Sequence, residues 1–259
     1  MPEVSVIIPV FNAQDYIDAC VDSLLAQTMD SLELVFVDDH GTDGSVRRLQ
    51  ERMSAYRGPK TLRLVSTPKN SGPGAARNLG ISEAKGEFVA FVDSDDTVDP
   101  DFCSSLYQAA VSAGTDLACC DIEMGGKVAR NTHTGDKRAF LRHFVSFFTT
   151  FLYRRSLIVE RGIVFPPSHS AEDTCFLTCS VLAANGIAKV DAPLYHYRLH
   201  EGSVTRRRDR SRAAARLSSI RRIRRFAREK GYYRDYCLEI EYLVLKKGWI
   251  LALRDLILG

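Results

Sequence analysis

Two aspartates, two positions apart, follow an apolar run in the segment FVAFVDSDDTVDP at residues 88–100. If the chain is still extended there, Asp93 and Asp95 point to the same side of the backbone. Carboxylate oxygens so placed suit Mg²⁺ or Mn²⁺, which bind through one or two protein carboxylates and leave the remaining positions to water and phosphate. The alternative is that Asp96 or Asp99 caps a following helix, which would not explain the other two acids.

A second acidic pair, Glu172 and Asp173, lies near the start of the segment SAEDTCFLTCSVLAANG at residues 170–186. This segment predicts a helix with Ser170 as the N-cap, Asp173 as the capping partner and Gly186 after its end. Acids in the first turn of a helix are stabilised by the helix dipole, so the pair does not by itself indicate a site.

Two other segments carry groups that could contact phosphate. In PKNSGPGAARN, residues 68–78, a helix N-terminus would offer free backbone N–H groups, with Arg77 in its second turn. The segment lacks the spacing of a P-loop, and a plain tight turn explains it equally well. The loop YHYRLHEGS carries four side chains that could bind phosphate, namely His196, Arg198, His200 and Ser203. Alternatively, the two histidines are packed or face solvent without binding a ligand.

The elements that must position these residues alternate between strands and helices. Short apolar runs, mostly β-branched, predict buried strands at 4–10, 32–37, 61–66 and 87–92. Helical spacing or helix boundary residues lie between them, at 13–27, 41–53 and 71–86. This alternation predicts an α/β fold with an open, twisted, mainly parallel sheet and helices on both faces.

In open sheets of this kind, ligands bind beyond the carboxyl ends of the strands. The residues that leave the predicted strands at those ends are Phe11 and Asn12, Asp38 and Asp39, 67–70, and 93–96. Their acid density exceeds what turns alone require, so we expect a ligand site at this edge of the sheet.

Beyond residue 115 the sequence pattern is less regular. It indicates a strand at 116–124, a polar loop at 125–137, an aromatic stretch of uncertain type at 139–153, and a strand, Pro break and loop at 188–205. The sequence shows no internal repeat with a period of 20 to 50 residues, which argues against a repeat architecture.

Taken in order, the segments SVIIPVFN, VDDHGTDGS, NSGPGAARNLG, FVDSDD and EDTCFL resemble the inverting family-2 glycosyltransferases of the GT-A fold, of the bacterial surface-polysaccharide type. The resemblance implies a GT-A catalytic domain over residues 1–204. Such a domain would transfer a sugar from a nucleotide-sugar donor, here expected to be a UDP-sugar, to a hydroxyl of a saccharide or lipid-linked acceptor. The acceptor side is less defined, because FLY at 151–153 replaces a more common Lys-containing segment.

The same resemblance assigns residues to donor binding. Asp39 would bind the base of the donor, in a pocket lined by Pro9, Phe11 and Asp38. His40 departs from the pattern, since such sequences usually have Gly or Ser there. The residues expected to contact the nucleotide-sugar are, in all, Pro9, Phe11, Asn12, Asp38, Asp39, Arg77, Asp93, Ser94, Arg198 and Ser203.

The resemblance also implies a mechanism. Asp93 and Asp95 correspond to the DxD motif, whose second acid holds the divalent metal, Mg²⁺ or Mn²⁺, while the first lies near the ribose; His200 could complete this site. Asp173, beside Glu172, corresponds to the catalytic base, which takes the proton of an acceptor hydroxyl as its oxygen attacks C1. Direct displacement inverts the anomeric carbon, and the metal stabilises the charge on the leaving diphosphate.

Composition places the chain among ordinary globular proteins, with 259 residues, 45% hydrophobic and 26% charged. The start, MPEVSVIIPVFN, lacks the basic region and cleavage site of a signal peptide, and no apolar run approaches the roughly 18 residues of a membrane span. We therefore expect a cytoplasmic protein. The seven cysteines form no CxxC pair, which favours reduced, mostly buried thiols over a zinc site.

A net charge of +3 conceals a basic C-terminal region. Residues 205–230 hold twelve Lys or Arg against two acids, and residues 205–259 are expected to form a basic, amphipathic helical extension. One helical face would carry Ala213, Leu217, Ile220, Ile223 and Ala227. This helix could lie at the inner face of the cell membrane on anionic lipid, or dock on the catalytic domain with its basic face in water. Arginine clusters also suit nucleic acid, which the absence of a recognised module disfavours.

The last segment, EIEYLVLKKGWILALRDLILG, is apolar and could dock on the core, on a partner subunit or on a membrane. Two other functions compete with sugar transfer. A nucleotidyltransferase would share a similar sheet, but FNAQDY after the first strand lacks the Gly-rich, basic motif expected there. A non-catalytic protein that binds sugar nucleotides or membranes would tolerate neutral replacements of Asp95 and Asp173.

Overall fold

The structure, a computed structural model, describes residues 2–131, 135–143, 147–167, 170–199 and 211–252. The strands are β1 (Val4–Val10), β2 (Leu32–Asp38), β3 (Thr61–Ser66), β4 (Phe88–Phe91), β5 (Thr97–Val98), β6 (Leu117–Cys119), β7 (Ile122–Met124), β8 (Lys127–Ala129), β9 (Phe151–Arg154), β10 (Ile187–Lys189) and β11 (Tyr195–Tyr197). The helices are α1 (Ile17–Leu25), α2 (Ser45–Ala55), α3 (Pro73–Glu83), α4 (Phe102–Ala113), α5 (Lys137–His143), α6 (Arg155–Arg161), α7 (Glu172–Ala183), α8 (Ser211–Glu229) and α9 (Tyr233–Leu243). A π-helical turn, Val244–Ile250, follows α9 and is called the π turn below.

Seven strands form the main sheet, in the order β10, β6, β9, β4, β1, β2 and β3. The strands from β4 to β3 run parallel, as do β10 and β6, whereas β9 is antiparallel to both of its neighbours. β1 is buried at every position, as its unbroken apolar run predicts. The predicted α/β fold with a mainly parallel sheet is therefore confirmed.

Helices cover both faces of this sheet, and alternate residues of β1 enter two separate cores. Ile7 belongs to the core that includes α3 and α7, while Val6 and Ile8 belong to the core that includes α1 and α4. Gly80 allows α3 to lie close to β1, because a Cβ atom there would overlap Cγ2 of Ile7. The N-terminus of α3 is thereby held near the carboxyl ends of the strands, where ligands are expected.

Phe91, the last residue of β4, lies at the centre of an aromatic cluster. Its ring contacts those of Phe148, Tyr153, Phe165 and Phe176, with centroid distances of 5.4–5.7 Å. Full burial of one such ring contributes roughly 1.5–3 kcal/mol to stability. The DxD segment follows β4 directly. By holding the end of β4 in place, this cluster also holds the start of the segment that carries those acids.

The segment predicted as one strand at 116–124 forms two strands in different sheets. β6 joins the main sheet, whereas β7 joins a small sheet with the order β5, β11, β7 and β8. Between them Asp121 is buried, accepts a hydrogen bond from the N–H of Asn131 (3.0 Å) and forms an ion pair with Lys189 (2.6 Å). A paired, buried carboxylate thus marks the change of sheet, and the predicted polar loop after it contains β8.

The predicted helices are present with bounds that differ by a few residues, and the predicted N-cap of α7 is wrong. α7 begins at Glu172, after Ala171, whose backbone is left-handed (φ 58°). Ser170 is therefore not the N-cap. Its carbonyl oxygen instead accepts a hydrogen bond from Oγ of Ser219 on α8 (2.9 Å), so the start of α7 is tied to the C-terminal helices.

The predicted apolar face of α8 packs on the protein itself. Ala213, Ile220, Ile223 and Ala227 are at most 3% exposed, while Leu217 is half-buried. Gly248 of the π turn lies against Ile220, where a Cβ atom would stand 3.2 Å from Cγ2. The structure therefore supports the docking alternative, because this face of α8 is covered by protein and is not open to lipid.

Within the described ranges, none of the helices combines the length and the hydropathy that crossing a bilayer requires. All seven cysteines are free and six are buried, in agreement with the predicted reduced thiols. Burial raises the pKa of the Cys103 thiol to about 12, which keeps it protonated and unreactive at neutral pH.

Candidate functional site

The loops that follow β1 and β2 interlock at the carboxyl edge of the sheet. Asn12 has a left-handed backbone (φ 49°), and its Oδ1 accepts a hydrogen bond from the N–H of Thr42 (2.7 Å). Gly41 is required here, because a Cβ atom would lie 2.7 Å from the backbone nitrogen of Asn12. Phe11 is 46% exposed, so its ring is available to stack on a ligand. Sequence reasoning identified Phe11 and Asn12 but missed Gly41.

Asp39 is buried and joins three elements. One carboxylate oxygen accepts hydrogen bonds from Oγ1 of Thr67 (2.9 Å) and from the N–H of Ser71 (2.9 Å), and the other accepts one from the N–H of Gly72 (2.8 Å). The carboxylate thus binds the backbone just before α3, near the helix N-terminus, where a negative charge is favoured. The predicted contact with a base would have to use the remaining acceptor capacity of these two oxygens.

Asp38 is more exposed than its neighbour, and its carboxylate accepts a hydrogen bond from the N–H of His40 (2.8 Å). His40 has a left-handed backbone (φ 57°), a conformation that glycine adopts at least cost, and its Nε2 lies within hydrogen-bond distance of the carbonyl oxygen of Thr67. His40, which stands where the family usually has Gly or Ser, is therefore held in this conformation by its contact with Thr67. Pro9 is buried within β1, opposite Val37 of β2.

The two DxD aspartates lie partly exposed just after β4, with Ser94 buried between them. The Asp93 carboxylate accepts a hydrogen bond from a terminal nitrogen of Arg77 (2.7 Å) and keeps 30% of its side chain exposed. Asp93 and Asp95 thus present hard oxygen donors at the predicted edge, which suits Mg²⁺ or Mn²⁺.

Asp96 holds this segment against the small sheet and is not a helix cap. It is 1% exposed and accepts hydrogen bonds from the hydroxyl of Tyr195 (2.7 Å) and the N–H of Arg198 (2.9 Å). Burial, followed by the charges of Asp93 and Asp95, raises the pKa of Asp96 to about 8. The sequence offered no local signal for this contact, because its partners lie about a hundred residues away.

Arg77 lies beneath the acids. Its guanidinium is stacked over the ring of Phe148, 4.6 Å from the centroid, and stands 5.4 Å from that of Phe165. Burial alone would lower the pKa of this guanidinium, but Asp93 first, and then the second acidic pair, raise it. The predicted phosphate contact stays a prediction, since the guanidinium binds Asp93 in this structure.

Glu172 and Asp173 occupy the first turn of α7 as a coupled pair. Burial and the charge of Asp173 raise the pKa of Glu172 to about 7. Burial also raises the pKa of Asp173, against the N–H of Thr174 (2.6 Å) and the charges of Arg77 and Lys247. Lys247 belongs to the π turn and was not identified from the sequence, where it appears as one of two lysines in an apolar segment.

The predicted phosphate cluster is divided, because His196 lies within β11 and not in a loop, whereas Arg198 follows the strand. Nε2 of His196 lies 2.8 Å from a carboxylate oxygen of Asp99, and its Nδ1 lies 3.5 Å from one of Glu123. Asp99 is therefore engaged with His196 and does not cap α4. Arg198 is exposed, with its guanidinium 5.5 Å from the ring centroid of Tyr16. His200 and Ser203 lie outside the described residues.

In the part of the chain that the structure describes, no group of three or more His, Cys, Asp or Glu residues is arranged to hold a metal by itself. The donor set still fits a hard cation, because Mg²⁺ commonly uses one or two carboxylates together with substrate phosphates. Negative charge is concentrated there, because the charges of Asp93 and Asp95 add to the effect of burial in raising the pKa of Asp96.

Comparison with known proteins gives a consistent result. A family model described as glycosyl transferase family 2 matches residues 5–169. EpsH of Bacillus subtilis, which bears the name of a glycosyltransferase, is 31% identical over 98% of this chain and 77% of its own length. The succinoglycan biosynthesis protein ExoO of Rhizobium meliloti is 28% identical, over 80% of this chain and 63% of its own.

Solved structures share the fold. S. aureus TarS 1–349 in complex with UDP-GlcNAc has a TM-score of 0.72 and 26% identity, covering 85% of this chain and 66% of TarS 1–349. The mannosyltransferase PcManGT from Pyrobaculum calidifontis, in complex with GDP-Man and Mn²⁺, has a TM-score of 0.72 and covers 98% of this chain and 72% of its own. At 21% identity, the second likeness concerns the fold alone.

Proposed function

The chain belongs to glycosyl transferase family 2, and from that premise we propose that it transfers a sugar from a nucleotide-sugar, most simply a UDP-sugar, to a hydroxyl group with inversion. The observation that supports this most directly is the convergence of Asp93 and the second acidic pair on Arg77. A metal-binding pair and a proton acceptor are the two parts that such a displacement needs. Glu172 and Asp173 supply the second part.

The proposed donor site is the interlocked edge after β1 and β2. Phe11 offers an exposed ring for stacking on a base, and Asp38 and Asp39, at the end of the neighbouring strand β2, carry carboxylate acceptors. The match with TarS, solved with UDP-GlcNAc, supports a UDP-sugar of the hexosyl or N-acetylhexosaminyl type. The neighbour solved with GDP-Man makes the identity of the base the point to test.

Asp95 and Asp93 are the proposed metal ligands, with Mg²⁺ or Mn²⁺ as the cation. Bound there, a divalent cation would stabilise the negative charge that develops on the leaving diphosphate. Arg77 holds Asp93 in place through its ion pair of 2.7 Å, and Asp96 anchors the segment to Tyr195. The ligand role of His200 remains a prediction.

Asp173 is the proposed catalytic base. It would take the proton of the acceptor hydroxyl as the oxygen attacks C1 from the face opposite the diphosphate, which inverts that carbon. The N–H of Thr174 fixes its carboxylate, and its raised pKa brings its basicity closer to neutral pH than that of an ordinary carboxylate. The charge of Asp173 raises the pKa of the neighbouring Glu172, and the repulsion between two like charges acts on both groups.

We place the activity in polysaccharide assembly, with a saccharide or lipid-linked acceptor. ExoO is named for succinoglycan biosynthesis, and it is one of several relatives with similar coverage. A cytoplasmic site of action at the inner face of the membrane remains part of this proposal, as does the division into a domain at 1–204 and an extension at 205–259. Family membership disfavours the alternative of a nucleotidyltransferase.

Calorimetric titration tests the donor. UDP, GDP and dTDP are titrated into the purified protein with and without Mn²⁺. We expect UDP to bind in a metal-dependent manner, because the diphosphate would share the cation with Asp95. Preference for GDP would replace the proposed donor class, and failure of all three nucleotides to bind would contradict the proposal as a whole.

The pH dependence of kcat/KM follows from the acidic pair. The catalytic base must be ionised to accept a proton. The pKa of Glu172 is raised to about 7, and that of Asp173 is raised above its usual value. Enzyme activity is therefore lost as the pH falls through these raised pKa values. The acidic limb should therefore lie well above pH 4, where an ordinary carboxylate would place it. In Glu172→Gln the like charge is absent, and the limb should move to lower pH. A wild-type limb near pH 4 would rule out this assignment.

A further inference from the structure

The C-terminal elements expose a continuous row of large apolar side chains. The apolar stripe, as it is called here, consists of Leu238, Tyr242, Leu245, Trp249 and Ile250, which are 41–71% exposed. The first four are spaced by four, three and four residues, so they share one face of α9 and the π turn. The opposite face of the same elements carries Ile240, Leu243, Val244 and Gly248, which are buried.

Cationic side chains border the stripe on the side of α8. Arg224 pairs with Glu241 through two hydrogen bonds of 2.8 and 2.5 Å, which places this row of α8 directly beside α9. The guanidinium of Arg228 stands 4.6 Å from the ring centroid of Tyr233 on α9. Arg221 is exposed on the same row, one turn before Arg224.

Cations also border the stripe on its other side and within it. Arg138 and Arg142 of α5 pair with the buried Glu239 (3.2 and 2.7 Å) and keep 50% and 52% of their side chains exposed. Nζ of Lys246 donates a hydrogen bond to the hydroxyl of Tyr242 (3.1 Å). An apolar centre with Tyr, Trp and Lys near it and arginines around it matches the boundary between headgroups and acyl chains.

We infer that the apolar stripe docks on an anionic lipid surface, with the arginines of α8 and α5 contacting the headgroups. This surface differs from the apolar face of α8, which is buried, and it lies in the plane of the membrane without crossing it. The surface itself is argued independently of the proposed function. Only its use, which is to bring the enzyme to an acceptor carried on lipid, rests on that function.

A second copy of the chain is a less suitable occupant. Stable protein interfaces bury about 800 Å² per partner over roughly 20–30 residues, and five side chains fall well short of that. Pairing two copies through the stripe would also bring together the cationic borders formed by Arg221, Arg228, Arg138 and Arg142. An anionic lipid surface satisfies the apolar centre and the charged borders together.

Trp249 makes a direct test available, because it is the only tryptophan in the chain. The full chain is mixed with vesicles of phosphatidylcholine, with or without phosphatidylglycerol, while tryptophan emission and co-sedimentation are recorded. We expect a blue shift and co-sedimentation with the anionic vesicles, both reduced by added salt. Leu238→Ser combined with Leu245→Ser should weaken vesicle binding by at least about tenfold. Arg221→Gln with Arg228→Gln should weaken it only for the anionic vesicles.

The matched control is Val111→Ser with Val159→Ser, two residues that are 49% and 55% exposed on α4 and α6 and should not affect vesicle binding. Calorimetric nucleotide binding in solution checks the fold of each variant and separates the two proposals. If the wild-type protein bound nucleotide but did not bind vesicles, only the lipid inference would be overturned. Without lipid, the tryptophan emission could instead shift to the blue as the protein concentration rises, with a doubled mass in sedimentation. That result would assign the stripe to a second copy and would also overturn the lipid inference.

Discussion

Sugar transfer by an Asp173→Asn enzyme should be slower by about 10²–10⁴-fold, the usual contribution of a general base, with nucleotide affinity unchanged. Asparagine keeps the shape of the side chain, and its Oδ1 can still accept the hydrogen bond that the N–H of Thr174 gives to Asp173 (2.6 Å). What it loses is the ability to take a proton from the acceptor hydroxyl. The release of nucleoside diphosphate in the presence of acceptor measures the rate.

The control for this variant is Asp30→Asn, which makes the same change at an exposed position before β2, at the opposite edge of the sheet. It should leave transfer unchanged. An Asp173→Asn enzyme with the wild-type rate would show that another group takes the proton. Loss of nucleotide binding along with transfer would instead assign Asp173 a structural role at the start of α7.

Asp95→Asn should weaken metal-dependent nucleotide binding at least about a hundredfold, since loss of even an outer-shell partner costs 10–100-fold in many metal sites. The amide removes one of the two hard, charged donors from the DxD pair. Asp95 gives the cleaner experiment, because a change at Asp93 would also break the ion pair with the buried Arg77. Titration of nucleotide with and without Mn²⁺ measures the effect.

The matched control is Asp99→Asn, in the same segment and with 44% of its side chain exposed, where the residue contacts His196. It should retain metal-dependent binding. If Asp95→Asn bound nucleotide with the wild-type dependence on Mn²⁺, the acids of this segment would serve the fold alone. A non-catalytic binding protein would show no sugar transfer even as the wild type, and it would keep its nucleotide binding in both the Asp95 and the Asp173 variants.

The sheet and the acidic edge could be predicted because their signals are local. β1 and β3 lie at the residues that the sequence predicts, 4–10 and 61–66, since short β-branched runs bounded by turn residues specify strands. The DxD pair could then be placed by topology, because the ends of parallel strands meet at one edge. The second acidic pair was assigned only through the resemblance to the family.

The remaining features depend on contacts between distant parts of the chain. The bond between Asp96 and Tyr195 joins residues 99 positions apart, and nothing near Asp96 distinguishes it from a helix cap. The bond from Ser219 to the carbonyl of Ser170, just before α7, likewise joins residues 49 positions apart. The apolar face of α8 was identified correctly from its spacing, but periodicity does not say whether such a face meets protein or lipid.

The charge balance at the acidic edge also bears on the order in which ligands assemble during one turnover. Arg77 contributes one positive charge near Asp93, Glu172 and Asp173, and Lys247 contributes a second near Asp173. With Asp95, four acidic side chains stand against these two cations. A nucleotide-sugar brings a negatively charged diphosphate, which these carboxylates repel until a cation arrives. The enzyme would therefore follow a compulsory order, with the cation binding before the donor or together with it. Metal supply, and not donor concentration alone, would then set how much of the enzyme is ready for an acceptor.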